Sequence, residues 1–332
     1  MTYQPNYTDP RVKKRIERAV DFATTWLTPD KDRFLHRDTI NRFMGRSNDN
    51  LGRLLRNQLL KTEDAWWNHT TGKCKTYSLR VQGVLDLTGE PYTPKTRLIR
   101  AQRTVAQEFP EIVTGAFAYK ESDNRLYHPA QNLPTDIRQL VFANTGYSWN
   151  YDIACSMPTL VLQYARKLGL TKDTPYLDYY TQYRTTVRQE LANHLGCTLK
   201  QIKISIAAKF VGARLSPGGR ISTELDRLQM YKLRNNSWFV NFCKDQKIVW
   251  DYIKVNRFGL TRLTPTNKMS TYRYLERSVM KQVERYLRDD NNQYFLEHDG
   301  WRCRDRIDVV NLLGVVRRAT GYSIQIDEEQ VL

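Results

Sequence analysis

The sequence lacks any apolar run that approaches the roughly 18 residues needed to cross a bilayer. Its first residues, MTYQPNYTDPRVKKR, contain no apolar stretch followed by a small-residue cleavage site, so they predict no secretory signal. The apolar fraction is an ordinary 40%. We therefore expect a soluble protein with no membrane partner that resides in the cytoplasm, meaning the host cytoplasm if the chain is viral.

Cysteine is scarce and never occurs in a CxxC pair, so the sequence supports neither a disulfide framework nor a zinc site. We interpret the cysteines as reduced thiols. The five are scattered along the chain: Cys74, Cys155, Cys197, Cys243 and Cys303.

Acidic residues are outnumbered by basic ones, 35 Asp and Glu against 52 Lys and Arg, which gives a net charge of +17. The excess is spread along the whole chain and is not confined to a tail. Such a charge favours a polyanionic partner, and nucleic acid is the natural one. The alternative is a basic soluble protein with no nucleic-acid role, because charge alone identifies no chemistry.

The 332 residues are long enough for about two domains. No internal repeat or low-complexity tract is present, but the segment TGEPYTPKT, residues 88–96, is rich in turn-forming residues. We place a boundary there, with an N-terminal domain at 1–92 and a larger domain at 93–332.

The N-terminal region has the pattern of a winged helix. Residues 36–44 and 49–60 predict two short helices around a GRSN turn, and 65–79 predicts a β-hairpin with its turn at 71–72. The alternative is a small helical packing domain whose arginines are merely solvated. In the winged-helix interpretation, the residues that face DNA are Arg46, Asn48, Asn50, Arg53 and Arg56, with Lys73 at the hairpin tip.

The remainder of the chain mixes strands and helices, which predicts an α+β fold. Apolar spacing indicates helices at 159–168, 179–195, 199–211, 270–287 and 309–320. Strand-like runs lie at 112–119, 125–128, 148–154, 294–296 and 323–327, of which the first two read as a hairpin.

Two acidic residues stand out because each follows an apolar, strand-like run: Asp152 in SWNYDIACSMPTL and Asp299 in YFLEHDGW. Phosphoryl transfer by two divalent ions needs carboxylates on rigid neighbouring strands, with the ions about 3.5 to 4 Å apart. Two strand ends lying side by side would supply that arrangement.

The segment RLYHPAQNLPTDIRQLVFANTGYSWNYDIACS resembles the stretch of family A DNA polymerases that leads into their motif A strand. DIACSM is also similar to the motif A string of single-subunit phage RNA polymerases, and EHDGW is similar to motif C. The spacing of Asp152 and Pro158, together with HDG, most resembles the small transposon and virus polymerases of superfamily A. The resemblance covers roughly residues 112–327 and implies a polymerase palm with reduced helical fingers.

The resemblance implies roles for individual residues. Asp152, Asp299 and the backbone of Ile153 would hold two Mg²⁺ ions, with Mn²⁺ as an alternative metal. Lys203, nine residues before Gly212 as in motif B, would be catalytic and bind the triphosphate, with Lys200 beside it and Met157 at the position that bears on ribose choice. The residues that would contact primer or template are Arg125, Arg138, Gln139, His298, Arg273 and Glu276.

The match is poorest in motif B, where Leu199 and Val211 replace the family's basic and aromatic residues, and Met157 matches neither deoxy- nor ribonucleotide enzymes. We expect DNA-dependent nucleotidyl transfer, with DNA synthesis slightly favoured over primase-like or RNA synthesis. The partners would be DNA template, primer and nucleoside triphosphates, with helicases or other replication proteins as further candidates. Two alternatives stay open: a non-enzymatic winged-helix protein and a degenerate polymerase that binds template without turnover.

Overall fold

In the computed structural model the described residues are 5–30, 33–46, 48–62 and 76–331, and they form a mixed α+β protein. The chain divides into two compact units. The first contains Met1–Ala118, His128–Tyr147 and Val331–Leu332, and the second contains Tyr119–Tyr127 and Ser148–Gln330. Within the described ranges no helix combines the length and the apolar character that crossing a bilayer requires.

The first unit contains seven helices and three strands among its described residues. The helices are α1 (Pro10–Trp26), α2 (Arg37–Met44), α3 (Asn50–Leu59), α4 (Val81–Thr88), α5 (Pro94–Glu108), α6 (Glu111–Thr114) and α7 (Thr135–Asn144). The strands are β1 (Arg33–Phe34), β2 (Leu60–Thr62) and β3 (Thr76–Leu79), in the sheet order β1-β3-β2.

The core of the first unit lies where α1 meets α2 and α3. The Phe22 and Phe43 rings stack with their centroids 4.2 Å apart, and Leu55 and Leu59 are fully buried beside them. Helix α5 also packs on α1. The division between the units therefore does not follow the boundary that the sequence placed at residue 92.

The two predicted helices of this unit are confirmed within a residue of each end. Of the hairpin predicted at 65–79, the described residues contain only Thr76–Leu79, which is strand β3 and pairs antiparallel with β2, with Leu60 opposite Leu79. The predicted turn at 71–72 and Lys73 lie outside the described residues. The predicted strand at 112–119 is wrong: Glu111–Thr114 is the short helix α6, which follows Pro110 and ends at Gly115 with φ +76°.

The second unit contains a two-stranded and a four-stranded antiparallel sheet. Its strands are β4 (Lys120–Ser122), β5 (Arg125–Tyr127), β6 (Trp149–Ile153), β7 (Tyr294–Glu297), β8 (Gly300–Cys303) and β9 (Ile326–Gln330). Its helices are α8 (Ser156–Lys167), α9 (Pro175–Leu195), α10 (Leu199–Val211), α11 (Arg227–Asn235), α12 (Ser237–Phe258), α13 (Pro265–Asp289) and α14 (Val309–Thr320).

The hairpin β4–β5 turns at Asp123 and Asn124, which both have positive φ values. A two-residue turn of this kind matches the twist of the paired strands, and Asp and Asn tolerate the left-handed region better than other residues with side chains. The hairpin therefore begins at Lys120, after the segment that the sequence assigned to its first strand.

The larger sheet has the order β7-β8-β6-β9, so β6 is an inner strand with partners on both sides. On one face, Tyr151 lies opposite Trp301, and their fully buried rings stack with centroids 5.5 Å apart. This aromatic pair is part of one continuous core with the helices. The core fixes the register of β6 against β8, because a slip of one residue would turn these rings to the opposite face.

The N-terminus of α9 is capped by a carboxylate from α12. The backbone amides of Tyr176 and Leu177 donate to Asp245 Oδ2 at 2.7 and 3.1 Å, and Asp245 is only 6% exposed. Two of the four amides that every helix leaves unsatisfied at its start are thereby paired. Asp245 thus ties α9 to α12.

We expect Asp245→Ala to lower the free energy of unfolding by about 1 to 3 kcal/mol, because two amides at a buried helix start lose their acceptor. Urea unfolding measures the change. The matched control is Asp251→Ala on the same helix, whose half-exposed carboxylate pairs with Lys247 and Lys254; it should cost less than about 1 kcal/mol. Equal costs would contradict the capping role.

Candidate active site

Strand pairing brings Asp152 and Asp299 together. Asp152 is the fourth residue of β6 and lies opposite Gly300, the neighbour of Asp299, at the start of β8. The Ile153 amide donates to the Asp299 carbonyl at 2.9 Å, which continues the ladder past the strand end. The two carboxylates therefore stand on adjoining backbones of one sheet, as the sequence predicts.

The turn that carries Asp299 is shaped by its neighbours. His298 adopts the left-handed region with φ +57°, which reverses the chain between β7 and β8. At Gly300, a Cβ atom would lie 2.7 Å from the Tyr151 carbonyl oxygen and 3.1 Å from Asp152 Oδ1. Only glycine lets the hairpin approach β6 this closely.

Both aspartates line a cleft of about 210 Å³ in the second unit. A third carboxylate, Asp327, reaches it from β9, where it lies opposite Asp152. The cleft also contains three basic side chains: Lys203 from α10, and Arg184 and Arg188 from α9. Acidic and basic groups thus face one another across a single cavity.

The Asp152 carboxylate is poorly stabilised by the protein. Burial, reinforced by the charge of Asp299, raises the pKa of Asp152 to about 7, while Lys203 acts in the opposite direction. Within the described part of the chain, no backbone or side-chain group donates a hydrogen bond to it. A half-buried carboxylate without hydrogen-bond donors, close to a second carboxylate, suits a divalent cation.

Asp299 is held in place by α13. The hydroxyl of Tyr272 donates to Asp299 Oδ2 at 3.2 Å and lies 3.1 Å from Ser156 Oγ. Burial, with Asp299 next in order, raises the pKa of Tyr272 well above its usual value, so the hydroxyl keeps its proton. Tyr272 therefore orients one carboxylate of the pair.

A search of the described residues finds no group of three or more His, Cys, Asp or Glu side chains arranged to hold a metal ion. Asp327, the third carboxylate of the cleft, is in an ion pair with Arg184 at 2.6 Å. The groups that could hold divalent ions here are Asp152, Asp299 and the backbone carbonyl of Ile153. Such a site would need substrate oxygens or water to complete it, which is usual for Mg²⁺.

Of the four residues predicted to bind the nucleotide, two line the cleft and two do not. Lys203 and Met157 line the cleft. Lys200 is exposed to solvent and does not line the cleft. Gly212 follows the C-terminal end of α10 with φ +112° and lines a different cavity.

Several residues predicted to contact primer or template are engaged inside the second unit. The Arg125 guanidinium forms a two-point ion pair with Glu276, with Nε 2.8 Å from Oε1, and Glu276 is 1% exposed. Arg273 pairs with Asp123 in the β4–β5 turn. His298 packs edge-on against Tyr127, and burial lowers its pKa.

Two further predicted residues, Arg138 and Gln139, belong to α7 of the first unit. Arg138 Nη1 donates to the Gln131 carbonyl at 2.7 Å, and Gln139 is half-buried. Neither residue lines the cleft, because every residue of its lining belongs to the second unit.

The predicted DNA-contacting residues of the N-terminal region are mostly exposed. Arg46, Asn48 and Arg53 are exposed, with Arg53 Nη2 2.9 Å from Asn50 Oδ1. Arg56 is half-buried and donates to Asn41 Oδ1 and the Gly45 carbonyl, so it joins α2 to α3. Lys73 lies outside the described residues.

Sequence reasoning missed Arg184, Arg188, Tyr272 and Asp327. The available signal was periodicity: Tyr180, Arg184 and Arg188 recur at every fourth position and so share one face of α9. Arg188 Nε donates to the Tyr180 hydroxyl at 3.0 Å, which fixes the arginine against the helix.

Comparison of the sequence with protein-family models found no match, and comparison with curated protein sequences found none either.

Asp152→Asn should raise the free energy of unfolding at pH 8 in metal-free buffer, by about 1 kcal/mol or more, since one pKa unit corresponds to about 1.4 kcal/mol. The folded-state pKa is raised, so wild-type Asp152 costs no stability at pH values below its unfolded pKa of about 3.9, and it becomes progressively destabilising as pH rises from there to about 7. The gain should therefore shrink between pH 7 and pH 4.

Urea unfolding at pH 5 and pH 8 measures this difference. The control is Asp289→Asn on α13, whose side chain is 71% exposed and should show no such pH dependence. A gain that is the same at both pH values would show that the Asp152 carboxylate is not under electrostatic strain.

Proposed function

We propose that the chain is a template-directed nucleotidyl polymerase that acts through divalent metal ions bound at Asp152 and Asp299. One observation carries the proposal: two carboxylates lie on adjoining antiparallel strands and line one cleft together with Lys203, Arg184 and Arg188. The order β7-β8-β6 is compatible with a polymerase palm, because it puts the HDG hairpin beside the strand of Asp152. The sequence resemblance to superfamily A leads to the same function.

Two Mg²⁺ ions, or Mn²⁺ in their place, would supply activation of the attacking 3′-hydroxyl and neutralisation of the triphosphate. The chain's own groups have definable tasks. Asp152 and Asp299 would hold the metals, and Tyr272 keeps Asp299 oriented through its hydrogen bond. Lys203 projects an ammonium into the cleft, where a compact positive charge pairs with phosphate oxygens. Arg188 adds a second cation to the same wall.

Met157 lines the cleft one residue before Pro158 and is the group of this wall that bears on sugar choice. Its side chain would crowd a 2′-hydroxyl, so we propose deoxynucleotides as the preferred substrates. The partners would then be a DNA template, a primer and deoxynucleoside triphosphates, alongside helicases or other replication proteins.

Incorporation of labelled nucleotides tests this function, with dNTP and NTP mixtures compared on primed and bare templates. We expect wild-type synthesis to require Mg²⁺ or Mn²⁺, and Asp152→Asn or Asp299→Asn to lower turnover by at least about 100-fold. The exposed Asp289→Asn serves as the matched control and should keep wild-type turnover. Synthesis retained by both site variants would refute the assignment, and template binding without wild-type synthesis would identify a degenerate polymerase.

The first unit favours a second, separable function in duplex binding. Its order of α1, β1, α2, α3, β2 and β3, with the sheet order β1-β3-β2, is compatible with a winged helix and supports the proposal. Exposed polar residues lie on α3 and in the turn before it, where a recognition helix would meet the major groove. These residues are Arg46, Asn48, Asn50 and Arg53.

In fluorescence anisotropy with the full chain and a labelled duplex, the double substitution Arg46→Ala and Arg53→Ala should weaken binding. Each lost phosphate contact should also reduce the slope of log affinity against log salt by about 1. Arg11→Ala on α1 is the control, because its side chain is 95% exposed and paired only with Asp9. If the control weakens binding as much as the double variant, the affinity reflects overall charge and not a winged helix.

A further inference from the structure

A second and larger cavity, of about 520 Å³, lies among α10, α12 and the start of α13 in the second unit. It shares no lining residue with the cleft of the aspartates. Its lining contains one carboxylate, Asp251, and six basic side chains: Lys209, Lys244, Lys247, Lys254, Arg262 and Lys268. We call it the lysine pocket.

The single carboxylate of the lysine pocket is already neutralised. Asp251 accepts from Lys247 at 2.6 Å and from Lys254 at 3.2 Å. The remaining basic groups therefore face the cavity with no opposing charge from its lining.

Lys209 and Lys268 are the half-buried basic groups of this lining that have no ion-pair partner among the described residues. Among the described residues, neither ammonium has a carboxylate or hydrogen-bond partner. The Lys268 ammonium is half-buried over the Trp250 ring, 5.2 Å from its centroid. At the end of α10, Gln246 donates to the carbonyls of Lys209 and Phe210 at 2.7 Å.

The electrostatics agree with this geometry. Burial lowers the pKa of Lys268, and the nearby charge of Lys209 lowers it further, while Asp251 opposes both. Two like charges close together in a partly desolvated cavity lower the stability of the fold unless an anion binds between them.

We propose that the lysine pocket binds a compact ligand with consecutive phosphate groups, either a free polyphosphate or the polyphosphate of a nucleotide. The cations that line this one cavity come from α10, α12, the loop that contains Arg262, and α13, and convergence on a single cavity suits a compact ligand better than an extended strand. The volume is in the usual range for small-ligand sites, about 300 to 1,000 Å³. Lysine ammonium groups pair well with phosphate as point charges.

The lysine pocket and the cleft are on different faces of α10. Lys203 lines the cleft, whereas Lys209 and Gly212 line the lysine pocket. A ligand in the pocket would therefore contact the helix that carries Lys203 without occupying the cleft. The proposal does not depend on polymerase activity, and the pocket can bind phosphate whether or not the cleft performs synthesis.

Isothermal titration of the full chain with sodium tripolyphosphate, in metal-free buffer at about 0.15 M salt to screen surface charges, tests the proposal. We expect saturable binding by the wild type, and the double substitution Lys209→Gln and Lys268→Gln should weaken it at least about 10-fold. The matched control is Lys281→Gln, an exposed lysine on α13. The thermal midpoint of the double variant should be no lower than that of wild type, since the substitutions remove a repulsion.

A second series with ATP distinguishes the two sources of polyphosphate. Binding of both ligands through Lys209 and Lys268 supports a site for the phosphate chain alone, and binding of ATP only supports a nucleotide site. Loss of tripolyphosphate binding in Lys203→Gln but not in the double variant would place the ligand in the cleft and overturn the proposal. The proposal would also be overturned if a single-stranded oligonucleotide binds through Lys209 and Lys268 while tripolyphosphate does not bind.

Discussion

The pairing of β6 with β8 is the interaction on which the second unit depends. It places Asp152 against the HDG turn, and it can form only because Gly300 has no side chain to meet the Tyr151 carbonyl. The buried Tyr151–Trp301 stack on the same two strands holds the register. The stack stabilises the sheet, while the two carboxylates at its edge repel each other. The stable core thus holds together two carboxylates that repel each other.

Much of the secondary structure of the second unit could be predicted from the sequence, because its helices are long and periodic. Residues 199–211 and 309–320 are helical to the residue, since capping and Gly212 or Gly321 mark their ends. The segment after Pro110 could not be assigned correctly, because an apolar run of that length fits a strand or a buried helical turn equally well. Pro110 at the start and Gly115 at the end favour the short helix α6 over a strand in this segment.

For the site, sequence order identified the aspartates but not what surrounds them. Lys203 reaches the cleft as expected, whereas Arg125 is held by Glu276, a residue 151 positions later in the chain. An ion pair between residues so far apart leaves no recognisable pattern in the sequence. The sequence therefore suggested that Arg125 was free to bind phosphate, although in the fold it is already paired. The same reason hid Tyr272 and Asp327, whose contacts with the site come entirely from tertiary structure. The spacing of Arg184 and Arg188 shows that they share one face of a helix, but the sequence does not show which part of the protein that face contacts.

The position of β6 within its sheet has a kinetic consequence. Both of its partner strands are encoded about 150 or more residues later, so a chain emerging from the ribosome carries this strand long before anything can pair with it. Contacts this distant in sequence close slowly, because the entropy of the intervening loop must be lost first. Helices α8 to α13 lie between and can fold earlier through local contacts. The aspartate pair would then be among the last features to form during synthesis, and truncated or stalled chains would contain most of the helices without a working site.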